Sequence, residues 1–199
     1  MTVVSRKDFT NAIITGLTAG LLAWAVLTYL QKSLPYGFAA AWLVLIIPIL
    51  WIAGVQLGYI LGRWFGFFNQ FGKYAATGFT NFAVDAGVLN LLFSLTHIAE
   101  GPIYSLEKGA SFLVAVTHSY YWNRRWAFQS DQLMTRKEFT KFMIVNIIGL
   151  IINNSVASAI VHFIPHTASP EVWGNVGAIG GAAVALIFNF IGFRILVFK

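Results

Sequence analysis

Charged residues are scarce in this sequence of 199 residues, and cysteine is absent. Only 10% of the residues are charged, whereas soluble domains average roughly 25%. The lack of cysteine excludes disulfides and thiolate metal sites. No segment shows the short alternating pattern of a half-buried strand. A soluble domain of this composition would lack the polar residues that cover a surface, so the sequence predicts an all-α integral membrane protein.

The sequence is rich in long apolar runs, and 58% of its residues are hydrophobic. A helix needs about 20 apolar residues to cross the hydrocarbon core. Six runs meet that length, so we expect about six transmembrane helices. They are Asn11–Gln31, Phe38–Gly62, Tyr74–Thr96, Tyr104–Trp122, Phe142–Ile164 and Trp173–Phe198.

The distribution of basic residues predicts the orientation of these spans. All but two of the 13 Lys and Arg residues, Lys32 and Lys108, fall on one side if the spans alternate in direction. Cytoplasmic loops carry the excess of Lys and Arg. We therefore expect a multi-pass protein of the cytoplasmic membrane with both termini in the cytoplasm. The net charge of +6 then favours anionic membrane lipids as partners, and not nucleic acid.

A repeated helical hairpin is indicated in the last two-thirds of the chain. Phe71-Gly72-Lys73-Tyr74 opens the third span, and Phe139-Thr140-Lys141-Phe142 opens the fifth. Two spans per copy keep both copies in the same orientation, which makes this a parallel repeat. The predicted halves are residues 71–130 and 139–199. A third, fainter copy in the N-terminal hairpin is left open.

Residues 71–199 resemble the GtrA-like family. The resemblance depends on two motifs, Asn81-Phe82-Ala83-Val84-Asp85 in the third span and Asn123-Arg124-Arg125-Trp126-Ala127-Phe128 at the end of the fourth. The second half is similar, with Asn189 and Arg194. The resemblance implies a four-span domain that moves or presents polyprenyl-phosphate-linked monosaccharides. Residues 1–70 add a two-helix hairpin that it does not explain.

Asp85 is the most informative polar residue because it lies deep in an apolar span. An acid near the bilayer centre costs about 2.5–3.5 kcal/mol on insertion scales and is functional by default. Asn81 lies one helical turn earlier on the same face, and the repeat places Asn153 at the position of Asp85. We predict an intramembrane polar path, although interhelical hydrogen bonding alone would also retain single amides. Its members are Asp85, Asn81, Asn123, Asn153, Asn154, His118 and Asn189.

Basic residues at the predicted inner helix ends are candidates for binding the lipid phosphate. A guanidinium group matches a phosphate bidentately, and the family resemblance favours this role for Arg124 and Arg125. Lys73, Lys141 and Arg194 are predicted at the same depth. Basic residues are also enriched at cytoplasmic helix ends for orientation alone, so a role in membrane topology stays open for all five residues.

Glu107 and Lys108 are outer-leaflet candidates at the start of the fourth span. Lys108 could extend to the membrane surface, which we favour, or bind a phosphate in the outer leaflet. His118 could approach Asp85 as a proton site, although a packing role is the more usual one for such a histidine.

Three functions remain open from the sequence. The first is translocation of a polyprenyl-phosphate-linked monosaccharide, or of the polyprenyl phosphate itself. The second is a non-transporting membrane partner of a glycosyltransferase, which would dock on the basic inner face. The third is a proton-coupled exporter of small solutes with Asp85 as the coupling acid. No nucleophile, metal-ligand spacing or phosphate loop is apparent, so we expect no enzyme, metal or cofactor. Gly-x-x-x-Gly spacings are compatible with a homo-oligomer.

Overall fold

Six long helices make up most of the residues that the structure describes. The computed structural model describes residues 4–30, 40–164 and 170–198, and no strand occurs within those ranges. The helices are α1 (Arg6–Leu30), α2 (Leu43–Leu61), α3 (Phe67–Thr96), α4 (Gly101–Trp122), α5 (Arg136–Phe163) and α6 (Pro170–Gly192). The predicted all-α membrane architecture is confirmed. Lys32 lies outside the described residues.

Five of the six helices are long and apolar enough to cross a membrane, and α4 is the exception. It has 22 residues but carries Glu107, Lys108 and His118. Its two ends nevertheless lie beside the two ends of α3. The Thr96 hydroxyl contacts Glu107, and the Tyr74 ring lies 6.1 Å from that of Phe128, just past α4. Helix α4 therefore runs back along α3 over most of its length. Since α3 is long and apolar enough to span the membrane, its partner α4 is expected to span as well, which supports six spans.

Three helices begin well before the apolar runs that predicted them, and α1 does so at Arg6 and not at Asn11. Helix α3 begins at Phe67 and not at Tyr74, and α5 begins at Arg136 and not at Phe142. Thr135 caps α5, because its side chain accepts a hydrogen bond from the Glu138 amide at 3.1 Å, as N-cap residues do. Apolar runs mark only the part of a helix that lies in hydrocarbon, so the polar first turns were missed.

The chain folds into two compact units, Met1–Gln129 and Ser130–Lys199. In the first unit, glycines let α1, α2 and α3 approach closely. A Cβ added to Gly16 would lie 2.5 Å from Pro48 Cα, and one added to Gly58 would lie 2.7 Å from the Phe68 carbonyl oxygen. Small residues promote such contacts between membrane helices. The two units are defined by packing. The boundary at residue 70 between an N-terminal hairpin and a four-helix domain was predicted from the sequence and stays a prediction.

The Gly16 contact gives a stability prediction. Gly16→Ala is expected to lower the free energy of unfolding by about 1–3 kcal/mol, because the methyl group overlaps the Pro48 backbone. Gly78→Ala is the matched control, since a Cβ there meets nothing within 4 Å. It should be neutral or stabilising by up to about 1 kcal/mol. Thermal unfolding in detergent measures both, and equal midpoints for the two variants would contradict the packing described.

The second unit is the hairpin of α5 and α6. Phe142 and Phe193 are buried and stack with ring centroids 4.6 Å apart. Gly149 and Gly181 face asparagine side chains of the opposite helix, Asn189 and Asn153 respectively. The unit therefore combines an aromatic cluster at one end with amides along its helix–helix contact.

Candidate functional site

The centre of the site is an ion pair between α3 and α4. Lys108 Nζ contacts Asp85 Oδ2, and the Ser111 hydroxyl donates to Asp85 Oδ1 at 2.7 Å. The side chains are not sealed in, because Lys108 is 42% and Asp85 24% exposed. Lys108 thus pairs with Asp85 and does not extend to the surface as expected. A lone acid in hydrocarbon is costly, and the pair reduces that cost.

Glu107, the neighbour of Lys108, is only 6% exposed. The Thr96 hydroxyl donates to its Oε1 at 2.7 Å. Its Oε2 is buried and has no hydrogen-bond partner among the described residues. Buried polar atoms normally have a partner, so this oxygen is available to a donor from a ligand or water.

A line of unpaired polar atoms continues from Asp85 along the same hairpin. Within the described part of the chain, Asn81 Oδ1, His118 Nδ1 and Asn123 Oδ1 are buried without a hydrogen-bond partner. Asn81 lies one turn from Asp85 on α3, and His118 lies two turns past Ser111 on α4, so each follows the face of the ion pair. The α4 partners of Asp85 are Lys108 and Ser111, and His118 lies about 10 Å further along the helix.

Asp8 is the hub of a second cluster, at the end of the first unit where α1 and α3 begin. Its Oδ2 pairs with Lys73 Nζ at 2.9 Å and accepts a hydrogen bond from the Tyr59 hydroxyl at 2.5 Å. The Trp126 indole donates to its Oδ1 at 2.8 Å. Asp8 is 2% and Lys73 4% exposed. Lys73, predicted to bind phosphate, is therefore engaged by a carboxylate that sequence reasoning missed.

The two arginines of the Asn-Arg-Arg-Trp motif lie in different surroundings. They occupy a π-helical turn, Asn123–Ala127, that follows α4. Arg124 is 4% exposed, whereas Arg125 is exposed. Trp126 in the same turn is fully buried. The motif thus buries one guanidinium and the indole and leaves the Arg125 guanidinium accessible at the predicted inner boundary.

The second unit ends in a turn of the same kind. A π-helical turn, Phe193–Val197, follows α6 and carries the exposed Arg194. The exposed Lys141 donates from Nζ to the Leu196 carbonyl in that turn at 3.1 Å. Lys141 and Arg194 are thus brought to the same end of this unit.

The predicted asparagines of the second unit differ in burial. Asn189 Oδ1 is buried without a hydrogen-bond partner among the described residues. Asn153 is half-buried, and Asn154 is exposed on α5. No group of three or more His, Asp or Glu side chains within 4–30, 40–164 and 170–198 could hold a metal ion.

Comparison with known proteins agrees with the motif-based resemblance. The family model for the GtrA/DPMS transmembrane domain matches residues 73–198. The chain is also 27% identical over 128 residues to the uncharacterized membrane protein YngA of Bacillus subtilis (strain 168). That alignment covers 64% of this chain and 78% of the relative. No solved structure matches. Since the family model spans more than half of the sequence, this membrane protein belongs to the GtrA/DPMS transmembrane-domain family.

Proposed function

We propose that this protein translocates a polyprenyl-phosphate-linked monosaccharide across the cytoplasmic membrane, with both termini in the cytoplasm. The observation that carries the proposal is the partly exposed ion pair between Asp85 and Lys108 inside an apolar hairpin. Exposure lets a passing anion reach the ammonium group.

Lys108 is the proposed phosphate contact in the outer half of the route. The phosphodiester of such a lipid carries one negative charge, as a carboxylate does, and its two non-bridging oxygens accept charge-assisted hydrogen bonds, so it competes with Asp85 for the ammonium. Ser111 keeps its hydrogen bond to Asp85, which limits the cost of releasing Lys108. The exchange is reversible because the ion pair between Lys108 and Asp85 forms again when the lipid leaves.

The sugar would meet unpaired polar atoms on either side of the ion pair as it passes along the hairpin. Glu107 Oε2 and Asn81 Oδ1 accept hydrogen bonds and have no donor among the described residues. A monosaccharide supplies hydroxyl donors. Each bond so formed offsets part of the cost of moving a hydroxyl out of water.

The inner phosphate contacts are proposed to be the exposed basic residues in and beside the π-helical turns. Arg125 carries this role in the first unit, and Lys141 and Arg194 carry it in the second. Arg124 and Lys73 are buried, and Lys73 is paired with Asp8. We assign these two residues to holding the turn and the helix ends in place.

The proposal treats α3–α4 and α5–α6 as two copies of one helical hairpin. Two matched features support it. The closing Phe128 amide donates to the Asn123 carbonyl at 2.9 Å, and the Phe198 amide donates to the Phe193 carbonyl at 2.8 Å. The rings also correspond, because Tyr74–Phe128 and Phe142–Phe198 have centroid separations of 6.1 and 6.0 Å.

Substitution of the exposed inner arginines tests the phosphate contacts. Arg125→Ala combined with Arg194→Ala should slow transfer of a labelled polyprenyl-phosphate sugar between vesicle leaflets by about tenfold, equivalent to roughly 1.4 kcal/mol. Arg136→Ala combined with Lys137→Ala, also exposed, removes equal charge and should leave transfer unchanged. Transfer at the wild-type rate by the first pair would overturn these contacts.

A glycosyltransferase partner is the second candidate, and one observation favours it. Leu133 and Met134, in the segment between α4 and α5, are 87% and 57% exposed. Apolar side chains exposed at a predicted cytoplasmic loop suit a protein contact. Binding of a purified transferase that is lost in Leu133→Ser plus Met134→Ser, in a protein that moves no lipid, would favour this candidate.

The exporter hypothesis is less well supported. It needs a carboxyl group that takes up and releases protons with the solute. Both carboxylate oxygens of Asp85 are already engaged, one by Lys108 and the other by Ser111.

A further inference from the structure

An apolar groove runs along the contact between α2 and α3 in the first unit. Its volume is about 290 Å³, near the lower end of the roughly 300–1,000 Å³ typical of small-molecule pockets. Six residues of α2 and six of α3 line it, and none of them carries a charge. We propose that this groove binds the isoprenoid tail of the lipid whose headgroup the protein moves, an inference that rests on the proposed function.

The floor of the groove is formed by glycines. Gly58 and Gly72 bring the two helices together, because a Cβ added to Gly58 would lie 3.3 Å from Gly72 Cα. Gly54 lies one turn before Gly58 and has nothing within 4 Å of an added Cβ. Gly54 therefore leaves one open notch, which a methyl branch of an isoprenoid chain can enter, whereas an unbranched acyl chain has no group to fill it.

One wall of the groove is fixed in place. The Trp51 indole donates to the Thr80 hydroxyl at 2.9 Å, and its ring lies 6.0 Å from that of Phe79. The Thr80 hydroxyl is also within 2.8 Å of the Ala76 carbonyl in its own helix. A wall held by hydrogen bonds keeps its shape before a ligand arrives, which lowers the ordering cost of binding.

The length and mouth of the groove suit the lipid of one leaflet. Its α2 residues extend from Leu50 to Leu61, about 16 Å at helical rise, which is half of a roughly 30 Å hydrocarbon core. Arg63 and Trp64 follow directly and are exposed. A phosphate at Arg63 therefore places the first part of its tail in the groove, at the predicted cytoplasmic boundary.

This site gives the N-terminal hairpin a role. The family match begins at residue 73, and α2 together with Phe68, Phe71 and Gly72 lies before that point. The matched domain thus supplies one part of the groove wall, while the additional hairpin supplies most of the surface. The hairpin would hold the tail while the headgroup moves past Asp85.

Photo-crosslinking tests the site. The full-length protein in lipid nanodiscs is labelled with a polyprenyl phosphate that carries a diazirine in its phosphate-proximal isoprene unit, and labelled peptides are mapped. Labels should concentrate in residues 50–61 and 68–79. Gly54→Leu should reduce labelling there at least fivefold by filling the notch. Gly78→Leu is the matched control, with equal open space on α3 outside the groove, and should label as wild type.

Two further arms identify the occupant. Unlabelled polyprenyl phosphate should displace the label, whereas an equal amount of phosphatidic acid, which has a phosphate but acyl tails, should not. Arg63→Gln should lower labelling about threefold, and Arg136→Gln should not. Even labelling of all apolar helices, wild-type labelling of Gly54→Leu or equal displacement by both lipids would overturn the inference.

The outcome is separable from that of the proposed function. Groove labelling in a protein that transfers no lipid between leaflets would retain the tail site and overturn translocation. Protein-dependent transfer with evenly spread labels would retain translocation and overturn the tail site.

Discussion

Asp8→Ala is expected to lower the free energy of unfolding of the first unit by about 3–5 kcal/mol, the usual cost of removing one partner of a buried ion pair. Lys73, at 4% exposure, would lose the carboxylate with which it pairs. The Tyr59 hydroxyl and the Trp126 indole would lose their acceptor as well. Thermal unfolding in detergent, followed by tryptophan fluorescence, measures the change.

The controls separate the ion pair from a general effect of the substitution. Asp131→Ala removes an exposed acid and should shift the midpoint little. Asp8→Ala combined with Lys73→Met should be less damaging than the sum of the two single changes, because the unpaired charge is gone. An unfolding midpoint of Asp8→Ala equal to that of the wild type would show that Asp8 does not hold these helix ends together.

Lys108→Met is expected to reduce lipid transfer by more than tenfold while the protein stays folded. The substitution removes the ammonium that we propose exchanges from Asp85 to the passing phosphate. Methionine retains much of the length of the side chain and its apolar contacts. Transfer of a labelled polyprenyl-phosphate sugar in reconstituted vesicles is the measurement, with protein amount and fold verified in the same preparation.

Removing both charges distinguishes a structural role of the pair from a functional one. Asp85→Asn with Lys108→Met removes both charges of the ion pair, so neither is left without its partner and stability should return toward the wild-type value. Transfer should stay low because the phosphate contact is missing. Lys137→Met, an exposed lysine in the first turn of α5, should transfer as wild type. Wild-type transfer by the double variant would contradict the role of Lys108.

The helices were predictable because hydrophobicity records which residues lie in hydrocarbon. Each of the six apolar runs corresponds to a long helix, and the two motifs predicted the family. The polar starts of α3 and α5 were not predictable in the same way. Lys73 and Arg136 lie in helix but outside an unbroken apolar run, so hydrophobicity alone does not place them.

The partners of the site residues were harder to predict than their depths. Sequence spacing places Asp85 deep in its span, but it does not say which residues of the facing helix meet it. His118 was considered, whereas Lys108 and Ser111 are the contacts because the offset of α4 along α3 brings them level with Asp85.

Asp8 was missed for a related reason. Its partners Tyr59, Lys73 and Trp126 come from three distant parts of the chain. The one local signal was an acid in the first turn of a span that otherwise begins with basic residues. That signal marks Asp8 as unusual but does not name its partners, which only packing of the four helices brings together.

The central claim is that this protein moves a polyprenyl-phosphate sugar across the membrane. It is tested most directly with vesicles that carry a labelled lipid of this kind in one leaflet, with and without the wild-type protein. A membrane-impermeant reagent that oxidises exposed sugar reports arrival in the other leaflet. The account predicts rapid arrival only where protein is present, and none for a polyprenyl glycoside that carries the sugar without the phosphate. Equal arrival with and without protein would contradict it.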